Sequence, residues 1–79
     1  MSNGDYDKFI LKMKQEMDMH ESEYGVNWMT QDISIIESRM QSSLNEYNKK
    51  KSPRKLVSVA NFAMLLYLRR LEEIREDLE

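Results

Sequence analysis

The chain has 79 residues, 41% of them hydrophobic and 33% charged, with net charge −2 and no cysteine. The absence of cysteine excludes disulfides, thiolate metal sites and cysteine nucleophiles, and it fits a reducing, cytoplasmic setting. One small domain is the expected unit, and a chain this short buries a modest core unless oligomerisation completes it.

Charge is unevenly spread. Residues 1–48 hold four basic and nine acidic residues, whereas "KKKSPRK" at 49–55 holds five cations and no acid. Residues 1–4 are polar and are expected to be disordered, and no signal peptide is apparent. The apolar run from Leu56 to Leu68 is too short to cross a bilayer, and Ser58 and Asn61 interrupt it. Two glycines and one proline disfavour a turn-rich β fold.

A first helix is expected over about 5–21, where Tyr6, Phe9, Ile10, Met13, Met17 and His20 recur at steps of three and four. The acids Asp5, Asp7, Glu16, Asp18, Glu21 and Glu23 read as its solvated face, and Lys12–Glu16 has i,i+4 spacing. "ESEYGVNW" breaks the pattern, with Gly25 as loop residue and Trp28 folding back onto the helices. A second helix is expected over 31–48, capped by Thr30, with Asp32 in its first turn and a stripe of Ile33, Ile36, Met40, Leu44 and Tyr47.

Ser52 followed by Pro53 marks the start of a third helix, since proline at the first helical position forfeits no needed N–H. It should run over 53–78. Val57, Ala60, Met64, Tyr67, Leu71, Ile74 and Leu78 alternate steps of three and four, a seam suited to another subunit. A second stripe, Leu56, Val59, Ala63 and Leu66, makes the first half of this helix apolar nearly all round. The fold expected is therefore all-α: three helices per subunit, with a long C-terminal helix, in an oligomeric helical bundle (a dimer or tetramer).

The basic turn is the main positive feature. Lys49, Lys50, Lys51, Arg54 and Lys55 surround a helix N-terminus, where cations oppose the dipole but where free N–H groups suit an anion such as phosphate. A solvated loop is the plainer reading of the same run. Nucleic-acid binding is the weaker alternative, because the chain is acidic overall and the helix after the turn is not studded with base-reading side chains. His20, the only histidine, continues an apolar stripe and lacks companions for a metal site. No Walker loop, dinucleotide fingerprint or Ser-His-Asp arrangement is present.

"KFILKMKQEM", then His20, Gly25 and Trp28, a helix, and "VANFAM" resemble, in that order, the MazG-like all-α nucleotide pyrophosphohydrolases, particularly short phage and archaeal versions. The likeness covers roughly residues 8–66. In that family two acidic motifs on two helices, Glu-Glu-x-x-Glu and Glu-x-x-Asp, hold magnesium, which neutralises phosphate oxygens and activates water. With "VANFAM" setting the register, the second motif falls on Lys55 and Ser58, and the first, aligned through Leu44, on Arg39, Met40 and Ser43. Asp32, Glu37 and Glu46 do not share the i,i+3/i+4 spacing that would replace them.

The resemblance thus implies a kept fold with its metal chemistry lost. No catalytic residue, metal or cofactor is expected, and the chain would act by binding a nucleotide, reached through Arg39, Arg54 and Lys55, or a protein partner. Three alternatives stand beside it: a nucleic-acid-associated regulator using the basic turn, a magnesium-dependent hydrolase with unrecognised ligands, and a coiled-coil adaptor on residues 57–78. Lys and Ser at 55 and 58 are also compatible with no such ancestry.

Overall fold

The structure, a computed structural model, describes residues 2–19 and 30–78, the last four of these by backbone alone. Three helices form: α1 (Asn3–Met19), α2 (Ile33–Lys50) and α3 (Pro53–Leu78). No strand occurs among the described residues, so the chain is all-helical there. None of these helices is long and apolar enough to cross a membrane. Gly25 and Trp28, expected in the connection, lie outside the described residues, as do His20, Glu21 and Glu23.

The helix ends follow local chemistry. α1 takes in Asn3 and Gly4, which were expected to lie in a disordered end, and Ser2 Oγ donates to Asp5 Oδ2 at 3.2 Å beside its first turn. The N-cap of α2 is Asp32 rather than Thr30. Its Oδ1 accepts from the Ser34 N–H at 3.0 Å and from the Ser34 hydroxyl at 3.0 Å. A carboxylate cap satisfies an orphan N–H and meets the positive end of the helix dipole with a full charge, which a threonine hydroxyl does not. α3 opens at Pro53 as expected, with the Ser52 carbonyl accepting from the Lys55 N–H at 3.1 Å.

α3 is the central element. Glu16 meets Arg54 and Met13 meets Asn61, so α1 runs antiparallel to α3. Glu46 meets Lys55 and Gln31 meets Arg69, so α2 is antiparallel to α3 as well. The α2–α3 interface is the more extensive of the two. Between the helices sits a small core of Ile36, Phe62 and Leu65, with Met17, Met40, Met64 and Leu66 packed around it. Burying one such aliphatic side chain stabilises by about 1.5–3 kcal/mol.

Of the stripe expected on α2, Ile36, 1% exposed, and Met40 join this core, Ile33 and Tyr47 are half-buried, and Leu44 is exposed. The stripe of α1 faces it only through its second half: Met13 and Met17 are half-buried, whereas Tyr6, Phe9 and Ile10 are exposed. On α3 the buried face is Val57, Asn61, Phe62 and Leu65. Of the expected seam, Val57 and Met64 turn inward, Ala60 is half-buried, and Tyr67, Leu71 and Ile74 stay exposed; the Leu78 side chain lies outside the described set.

Asn61, wholly buried in "VANFAM", ties α3 to α1 by donating from Nδ2 to the Met13 carbonyl at 3.2 Å. Its Oδ1 is buried without a hydrogen-bond partner. The orphan oxygen weakens the core locally, because a buried acceptor forgoes its bond to water.

Leu65→Ala removes the side chain at the centre of the α2–α3 contact. It is expected to destabilise by about 3 kcal/mol in chemical denaturation, a large share of the stability of a domain this size.

Candidate functional site: the α2–α3 junction

The basic turn lies where α2 ends and α3 begins, and Lys55 is part of it. α2 closes on Lys51, which adopts the left-handed conformation (φ 55°, ψ 31°) and donates its N–H to the Tyr47 carbonyl at 2.6 Å. Its ammonium sits over the Tyr47 ring, 5.2 Å from the centroid, a cation–π contact. Glycine is the usual residue in this conformation, since any Cβ is strained there.

Two further cations of the turn are spent on helix–helix contacts. Lys55 Nζ lies 2.6 Å from Glu46 Oε2, linking the start of α3 to the end of α2. Arg54 Nε donates to Glu16 Oε1 at 2.7 Å, linking α3 to α1 across an open cleft of about 400 Å³ that also includes Lys12, Gln15 and Val57. Glu16 is buried, so it does not belong to the solvated acidic face expected of α1. An arginine from another helix makes that burial affordable, because a buried carboxylate needs a partner and charged hydrogen bonds are the stronger kind. Lys49 and Lys50 remain exposed.

Three of the five cations therefore have separate partners: Arg54 on α1, Lys55 at Glu46 of α2, and Lys51 over the Tyr47 ring of α2. The Lys55 bond holds the Glu46 carboxyl below its ordinary range, helped by the charges of Lys55, Lys50 and Lys49. Asp32 is likewise lowered, first by the bond from the Ser34 N–H, then by the Ser34 hydroxyl and the charge of Arg69.

Of the positions aligned with the family's magnesium motifs, Met40 packs against the core, Arg39 is exposed, and Ser43 and Ser58 are half-buried. Lys55 is held on Glu46. This donor set does not fit a magnesium ion, which requires several oxygen ligands and is repelled by an ammonium at the same place. Among the described residues no three His, Cys, Asp or Glu side chains cluster as metal ligands would.

No family model, curated protein or solved structure matches this chain.

Two outcomes are expected at this junction. Glu46 titrates lower folded than unfolded, so its pairing contributes fully above the ordinary carboxylate range, about pH 4.3, and is lost as pH falls through the folded value. Glu46→Gln should remove that part of the acid sensitivity, so the stability gap between wild type and variant narrows as denaturation is followed from neutral pH to pH 3. Separately, Lys51→Gly should stabilise by about 0.5 kcal/mol, relief of the left-handed strain outweighing loss of the Tyr47 contact. Thermal unfolding reads this as a raised midpoint.

Proposed function

We propose that this chain is a non-catalytic relative of the MazG-like pyrophosphohydrolases, working in the cytoplasm as a homo-oligomeric helical scaffold that binds a nucleotide or a protein partner. The observation that carries the reading is the Lys55–Glu46 ion pair. In the register set by "VANFAM", it puts an ammonium on the helix where the family has a metal-binding carboxylate. An ammonium–carboxylate bond can do the mechanical part of a bridging metal's work, tying two helices together, without its chemistry. It offers no Lewis acid for a phosphate and no water of lowered pKa.

Oligomerisation is supported by the amount of apolar surface one chain leaves uncovered. Tyr6, Phe9, Ile10, Leu11, Tyr67 and Ile74 are each more than two-fifths exposed, while the buried apolar set is Ile36, Val57, Phe62 and Leu65. The nucleic-acid reading takes second place, because Arg54 and Lys55 are engaged by acids of the same chain and an engaged cation releases fewer counterions on a phosphate backbone.

The test combines two measurements. Incubation with Mg²⁺ and nucleoside triphosphates is expected to release no pyrophosphate above the buffer control, and light scattering to give a mass at least twice the 9.5 kDa of one chain. Magnesium-dependent release of pyrophosphate would overturn the non-catalytic reading.

A further inference from the structure

Among the described residues, α1 and α2 cover two sides of α3 and a third side is left exposed. Leu56, Ala60, Ala63, Tyr67, Leu71 and Ile74 follow one another at helical steps of three and four along it. Leu56 and Leu71 are each 38% exposed, Ile74 53% and Tyr67 63%. Taking about 200 Å² for a large side chain, these four expose roughly 400 Å², in the range where a monomer's largest apolar patch is often functional. That is about half of what each partner brings to a standard interface.

The ends of α3 supply a second observation. The end of α2 and the turn leading into α3 carry Lys49, Lys50 and Lys51, the first turn of α3 carries Arg54 and Lys55, and the sequence after Leu71 holds Glu72, Glu73, Glu76, Asp77 and Glu79 against a single Arg75. Arg54 and Lys55 at the start of α3 and the acids at its finish run against the preference of the helix dipole, whereas Lys49 and Lys50 close α2, where the dipole favours them. Arg54 and Lys55 are answered within the chain by Glu16 and Glu46, and Lys49 and Lys50 stand exposed beside them. Laid antiparallel against a copy of itself, α3 would bring every basic end onto an acidic one, whereas a parallel copy would set like on like.

We infer that the open face of α3 binds a second copy of this chain in antiparallel orientation, an inference that rests on the homo-oligomer reading above and specifies its interface. The spacing suits it. Leu56 and Ala63 are one heptad apart, and so are Tyr67 and Ile74. When Leu56 lies opposite the partner's Ile74, Ala63 lies opposite the partner's Tyr67, so the largest side chain on the face meets one of the smallest. The two-fold axis passes between them, and each contact occurs twice. Exposed Lys49 and Lys50 then stand near the partner's acidic end, and the association weakens as salt screens them.

The chain has no cysteine, so single thiols can be introduced cleanly. Leu56→Cys and Ile74→Cys are made in the full chain, checked for unchanged helicity by circular dichroism, and oxidised mildly, each alone and as a mixture. Antiparallel pairing predicts that only the mixture forms a disulfide-linked species, of heterodimer mass, and that high salt reduces its yield. Either variant linking to itself would mean parallel pairing, and an oligomer whose mixture fails to link would mean another face; both overturn this inference and leave the homo-oligomer reading intact. A wild-type chain that stays monomeric in light scattering would overturn both.

Discussion

The structure depends on one constraint: α3 is apolar over more of its circumference than α1 and α2 cover. Its first half is apolar nearly all round, and α1 and α2 occupy two sides. The side they share with it holds the core of Ile36, Phe62 and Leu65. The side they leave open presents Tyr67, Leu71 and Ile74 to solvent. A small domain gains little net stability from so few fully buried residues. The uncovered face and the half-used stripe of α1 are consequences of the same shortage.

Ion pairs carry part of the load that packing does not. Arg54 reaches the buried Glu16 on α1 and Lys55 reaches Glu46 on α2, so adjacent residues in the first turn of α3 hold opposite neighbours. Such pairs contribute modestly where solvent reaches them, because screening and side-chain ordering offset the Coulomb attraction. Their value here is geometric: they fix the height and rotation of α3 against both helices.

Much of this architecture was legible in the sequence. Three helices follow from the steps of three and four, and Ser52-Pro53 marks the start of α3. The rotation of α3 was not legible. In "VSVANFAMLLYL" nearly every position is apolar, so a heptad can be drawn along more than one face, and the regular one includes Tyr67, Leu71 and Ile74, which the chain leaves exposed. Phe62 and Leu65 became the core because Ile36 meets them, and no local pattern records that. Glu16 could not be told from its exposed neighbours, since its burial depends on an arginine 38 residues away. Thr30 and Asp32 are both good caps by residue type, and choosing between them required knowing where the first helical hydrogen bond closes. The cations of 49–55 look like one patch when written in a row, but the left-handed turn at Lys51 and the start of α3 send them apart.

Beside the apolar core, the proposed function rests on an ion pair, not a metal, standing between the end of α2 and the start of α3. The most direct test is a crystal structure grown with excess Mg²⁺ and a non-hydrolysable nucleoside triphosphate. The account predicts Lys55 Nζ resting on Glu46 and no metal between the two helices. A magnesium ion ligated there by carboxylates would contradict it and would favour a magnesium-dependent hydrolase.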